Sequence, residues 1–149
     1  MTTLAEAWQL ALAAEQQAVY GYSLVGPHLA TASDSDLARN CQTAHETLRD
    51  KTATAITASG GAPQPPLPDY PSLYPVPDAK SARKLAIRLE QNAASAWRYL
   101  YAVAATASGR QPAAARTAAQ AALIASAVRA TRWRRIVDPA SATVAFPGI

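Results

Sequence analysis

The chain has 149 residues, half of them hydrophobic but only 7% aromatic, which is enough to bury one core in a single domain spanning 1–149. A net charge of +4 is too small to mark a nucleic-acid or membrane-surface binder, and Cys41, the only cysteine, excludes an intrachain disulfide and argues against a thiolate metal cluster. The N-terminus "MTTLAEAWQLALAAEQQ" lacks a basic leader, and no run reaches the ~18 apolar residues of a membrane span, so a cytoplasmic protein is expected, with neither nucleic acid nor membrane as partner.

Thr3-Leu4-Ala5-Glu6 reads as a capping box that opens a first helix. Leu4, Trp8, Ala11, Glu15, Ala18 and Tyr22 then follow the three-and-four spacing of one helix face. Gly26-Pro27 should kink or end it, with the pattern resuming weakly through Leu29. Ser33 to Ser35 offer caps for a second helix with the stripe Leu37, Cys41, Ala44/His45, Leu48, Thr52 and Ile56, stopped by Gly60-Gly61.

Most of the prolines follow in "GAPQPPLPDYPSLYPVPDA", a density that neither helix interior nor central strand accepts. Residues 60–78 are therefore read as an extended connection pinned by Tyr70 and Tyr74. Asp78 caps a third helix with Ala82, Ala86, Leu89, Ala93, Ala96/Trp97, Leu100 and Val103 inward. "ASGRQP" breaks the chain, and Pro112 suits the first turn of a fourth helix carrying Ala115, Ala119, Ala122/Leu123, Ser126, Arg129/Ala130 and Trp133. A tail, 138–149, closes the chain. No strand pair is expected, so the fold class is all-α, a four-helix bundle.

The proline segment also selects a topology. A helix of about 27 residues is ~40 Å long. Roughly 16 polyproline residues reach ~50 Å, enough to run the length of such a bundle and make the second and third helices parallel. Up-down-down-up with one long crossover follows. In that arrangement Glu15, His45, Glu90 and Arg129, one from each helix, come within a turn of the same height, at roughly 18–25 Å along the bundle.

"AAEQQAVYGYSLVGPHL", "AHETLRD", "DAKSARKLAIRLEQNAASAW", "ASAVRATRW" and "VAFPGI" together resemble the ferritin-like superfamily, and in particular a compact ferritin-like domain family of unknown function. The resemblance implies a four-helix bundle and brings no activity with it. In metal-bearing members, the first and third helices each supply a Glu, and the second and fourth each supply Glu-x-x-His. Glu15 and Glu90 match the single glutamates. The second motif is reduced to "QTAH", with Gln42 before His45, and the fourth is replaced by "SAVR", with Ser126 and Arg129 in place of acid and histidine.

Two carboxylates, one imidazole and a guanidinium cannot balance and bridge two metals, whereas Arg129 can itself supply positive charge. The expectation is a metal-free core network of Glu15, His45, Glu90 and Arg129, in which Arg129 joins both glutamates. No cofactor and no catalytic residue are expected. The protein is read as a binding or interaction module and a homodimer, its ligand unnamed by the sequence. One alternative is an oxidoreductase with a single iron or manganese on Glu15, His45 and Glu90. The other is a small-molecule carrier whose pocket is lined by Gln42, Trp97, Tyr22 and Tyr99.

"RATRWRR", residues 129–135, is read as cations complementing a helix C-terminus, with Trp133 packed beneath arginine stems. His28 is read as a surface residue. Cys41 and His45 stand one turn apart, but no oxyanion hole accompanies them.

Overall fold

Thr3 and Glu6 fasten the start of the first helix to each other. The Thr3 N–H donates to Glu6 Oε2 at 2.6 Å, and the Glu6 N–H donates to Thr3 Oγ1 at 3.2 Å. The computed structural model describes residues 2–149, so Met1 of the expected domain lies outside it. Four long helices form: α1 (Leu4–Val25), α2 (Ala32–Ala58), α3 (Ala79–Ala105) and α4 (Arg110–Val137). Short 3-10 turns stand at Gly26–His28, Pro71–Leu73 and Pro139–Ser141, and no strand occurs among the described residues.

Gly26-Pro27 ends α1 in a tight turn rather than kinking it, and Leu29 is already extended. The cap of α2 falls earlier than the sequence reading placed it. Thr31, in extended backbone, accepts the Asp34 N–H at 3.2 Å, while Ser33 to Ser35 are already helical. Asp34 is instead buried and bound by Arg83 through Nε at 2.9 Å and Nη2 at 2.6 Å, joining the first turns of α2 and α3. At α3 the cap is reciprocal between Asp78 and Ser81. Pro112 stands in the first turn of α4, where its missing N–H costs nothing.

The proline-rich connection lies against α1. Gln9 Nε2 donates to the Ala62 carbonyl at 2.8 Å, Gln16 Nε2 to the Gln64 carbonyl at 2.8 Å, and the Tyr20 hydroxyl to Asp69 at 2.7 Å. The Tyr20 and Tyr70 rings meet at 5.1 Å, and Tyr74 shares a hydroxyl contact with Tyr20 at 2.7 Å. Each polar anchor satisfies a carbonyl or hydroxyl that an extended chain would otherwise leave to water.

The apolar core divides in two. One cluster gathers Tyr22, Val25, Cys41, Leu73, Leu89 and Trp133. The other gathers Ala7, Ala11, Trp97, Leu100, Ala115 and Ala119. Small residues let α1, α3 and α4 approach closely in the second cluster. At Gly21 a Cβ would stand 2.5 Å from Leu89 Cδ1, so the leucine packs on bare backbone. Close packing joins α3 to α4, α1 to α3 and α1 to α2, whereas α2 and α4 pack together far less. Among the described residues no helix is long and apolar enough to cross a membrane.

Candidate functional site

Among the described residues four polar side chains have no exposed surface at all: Glu15, His45, Glu90 and Ser126. The periodicity of each helix aims its residue inward, and hydrogen bonds then join them. His45 is the hub. Its Nδ1 lies 2.6 Å from Glu15 Oε2 and its Nε2 lies 3.1 Å from Glu90 Oε1. Ionised carboxylate oxygens only accept, so both ring nitrogens donate and the ring is an imidazolium.

Burial alone would push the His45 pKa down. The hydrogen bonds and charges of Glu15 and Glu90 outweigh it and raise the value to about 9. Burial likewise pushes Glu90 up, but His45, the Arg129 charge and the Tyr22 hydroxyl together hold it below its ordinary value. Two carboxylates face two cations, so the centre is internally neutral.

Further donors reach both carboxylates. Trp97 Nε1 donates to Glu15 Oε1 at 2.7 Å, and the Tyr22 hydroxyl donates to Glu90 Oε1 at 2.6 Å. Trp133 Nε1 donates to the Tyr22 hydroxyl at 2.9 Å. Arg129 Nε reaches both Glu90 oxygens, at 3.1 and 3.0 Å, and Nη2 reaches Ser126 Oγ at 3.2 Å. No buried side-chain nitrogen or oxygen among the described residues lacks a partner.

This corrects one detail of the expected network. Arg129 pairs with Glu90 and not with Glu15, whose two oxygens are met by His45 and Trp97. Two expected pocket residues stand elsewhere. Tyr99 is 41% exposed on the outer side of α3, its hydroxyl 2.6 Å from Thr2 Oγ1. Gln42 turns its amide to the Val19 carbonyl at 3.4 Å, against α1. Tyr22 and Trp97 are buried members of the network, and Trp97 also lines an open groove. Their part in the network had a signal in the sequence: Tyr22 follows Glu15, and Trp97 follows Glu90, by seven residues, two turns along the same helix face.

The donor set does not fit a metal. Both His45 nitrogens are spent on carboxylates, Glu90 is held by a guanidinium, a phenol and an imidazole, and no group of three His, Cys, Asp or Glu side chains among the described residues is arranged to hold an ion. Cys41 is also withdrawn from chemistry, since burial and then the Glu90 charge push its thiol up to about 11. Trp133 is fully buried beside Tyr22, and Arg134 and Arg135 occupy the last turn of α4. His28 is exposed.

Beside this centre, the gap between α2 and α4 forms a groove of about 660 Å³. Trp8 stands in it, edge to face with the buried Trp97 at 6.0 Å, with Leu48 and alanines of α4 around it, and Arg129 lines it too. A depression of about 710 Å³ over Glu6, Gln9 and Leu10 touches none of the buried network.

The sequence from residue 7 to 149 matches the family described as Domain of unknown function (DUF4439). The crystal structure of a conserved hypothetical protein, rv2844, from Mycobacterium tuberculosis is similar, with 33% sequence identity and a TM-score of 0.77 over 87% of this chain and 93% of that one. No curated protein matches the chain. With nearly its whole length matched, this helical bundle belongs to the DUF4439 family, a domain of unknown function.

Proposed function

We propose that the protein is a noncatalytic, metal-free bundle of ferritin-like topology that works as a binding module, with the α2–α4 groove as its site. One observation carries the reading: no buried side-chain nitrogen or oxygen of the centre lacks a partner within the protein, while the groove beside it stays open. The pairs Asp34–Arg83 and His45–Glu90, both ascending in number, support parallel α2 and α3. Glu15–Trp97 with Tyr22–Glu90, and Glu90–Arg129 with Ala104–Arg116, run in opposite senses and support α3 antiparallel to both α1 and α4. Up-down-down-up is the order consistent with these pairs. A charge-neutral polar layer then acts as a structural clamp where related bundles place ligating carboxylates.

Self-association belongs to the same proposal. Ile124 and Val128, 56% and 47% exposed and one turn apart on α4, give a second copy an apolar seat. Sedimentation of the wild type against Ile124→Glu tests this, and an unchanged monomer would remove it.

Elemental analysis tests the centre. Protein purified away from metal-affinity resin and offered ferrous iron or manganese should carry no stoichiometric metal. Bound metal that disappears in Glu15→Ala would sink the reading and favour an oxidoreductase.

A further inference from the structure

The α2–α4 groove has a polarity as well as a shape. Its lining includes two cations, Arg129 and Lys51, and no aspartate or glutamate. Of the carboxylates nearby, Glu90 faces Arg129 from behind, Glu15 is held by His45 and Trp97, Asp50 is paired with Arg49 at 2.8 Å, and Glu46 on α2 does not line the groove. Arg129 has bonding capacity left. Nε and Nη2 are used by Glu90 and Ser126, while Nη1 is bonded to no described residue. Since no buried polar side-chain atom among the described residues is unpartnered, Nη1 is open to solvent. Its rigid placement by Glu90 and Ser126 means little entropy is lost when it binds a further acceptor.

Away from Arg129 the groove turns apolar. Ala118, Ala121, Ala122 and Ala125 form one wall, Leu48 stands opposite, Trp8 is partly exposed in the groove, and the buried Trp97 lies beneath its floor. Along α4, the run from Arg129 back to Ala118 is eleven residues, or ~16 Å at 1.5 Å per residue. We propose that this groove binds an amphipathic organic anion, its alkyl or aromatic body against Trp8, Leu48 and the α4 alanines and its carboxylate on Arg129. This rests on the groove being the binding site of the proposed function and adds the chemical class of its ligand.

Decanoate, decanol and decyltrimethylammonium share one chain length and differ in head group. Titrated into the wild-type protein, their binding is read by calorimetry and by the fluorescence of Trp8 and Trp97. Decanoate should bind roughly tenfold more tightly than either comparator, as one additional charge-assisted bond allows. Ala121→Trp, which fills the groove from an exposed position, should abolish that binding with the helical circular dichroism unchanged. Lys51→Gln should weaken decanoate and leave decanol alone.

Equal binding of decanoate and decanol, both lost in Ala121→Trp, would overturn the anion inference and leave the groove as a binding site. No binding of any probe, or binding indifferent to Ala121→Trp, would overturn the inference and remove the groove from the proposed function. A wild-type dimer that Ala121→Trp dissociates would assign the groove to a second copy, which also overturns it.

Discussion

His45 Nδ1 lies 2.6 Å from Glu15 Oε2 with both side chains fully buried, and among the described residues no other cation reaches Glu15. Removing one member of such a pair leaves a desolvated charge, a loss typically larger than the pair's own net contribution. His45→Leu would leave Glu15 without a cation and take one cation from Glu90. It should lower unfolding free energy by about 3–5 kcal/mol, measured by urea denaturation. The double variant His45→Leu with Glu15→Met should recover part of that loss. A single-variant cost below about 1 kcal/mol would show that the pair does little for the fold.

Stability should fall on the alkaline side within a defined window. His45 titrates near 6.5 when unfolded and at about 9 when folded. A raised folded value means that protonation favours the native state, so the contribution is complete below about pH 6.5 and disappears as pH rises through about 9. Glu90 has the opposite sign: held below its ordinary value, it stabilises above that value and the contribution is lost as pH falls through its folded pKa. The melting temperature should therefore peak in mildly acidic solution and decline between pH 6.5 and 9. In His45→Leu the alkaline decline should flatten.

Arg129 acts on the acid side of the same curve. Its side chain is 12% exposed and its Nε bridges the two Glu90 oxygens. Arg129→Met should cost about 3 kcal/mol in urea denaturation, because Glu90 loses its closest permanent cation. It should also move the onset of acid unfolding to higher pH, since the Glu90 value rises toward normal. Arg129→Lys keeps the charge but loses the planar fork, so it should restore only part of both effects. Acid unfolding unchanged in Arg129→Met would show that His45 alone holds Glu90 ionised.

Much of this was legible in one-dimensional pattern. The helix stripes, the caps at Thr3 and Asp78, and the proline connection follow from spacing and backbone chemistry, and the structure places Ala11, Leu89 and Trp97 in the core as that spacing requires. Counting residues along helices also brought Glu15, His45, Glu90 and Arg129 to one height. Which of them touch was not legible. Height leaves the direction of each side chain free, and a helix rotation of a few tens of degrees decides whether Arg129 meets Glu15 or Glu90. Trp97 settled that competition by taking the oxygen of Glu15 that His45 leaves free. The α2 cap was misplaced because several consecutive hydroxyl and acid residues compete there, and burial of Asp34 against Arg83 selects Thr31. Tyr99 was misassigned because it lies two residues from Trp97, and on a helix that spacing turns a side chain to the opposite face.

The tail gives a last prediction, at Gly148. Its φ is +85°, and a Cβ there would stand 2.8 Å from the Ala94 carbonyl oxygen, which is backbone of α3 and has no rotamer with which to retreat. Gly148 also offers its own carbonyl to Ser95 Oγ at 3.0 Å, so the same residue both clears α3 and fastens to it. A gap of about 80 Å³ beneath the tail is lined by Glu90, Ala130 and Phe146, so the tail covers one approach to the charged centre. Gly148→Ala combines strain of about 1 kcal/mol at positive φ with a backbone clash, and lifting the tail relieves both. Global stability should change little, because the two core clusters do not include these residues. Hydrogen exchange at Ile149, whose N–H donates to Phe146, should accelerate, and limited proteolysis should cut within 142–149 sooner than in the wild type. Unchanged exchange and cleavage would mean that the tail shifts as a unit on α3 and that its hold does not depend on Gly148.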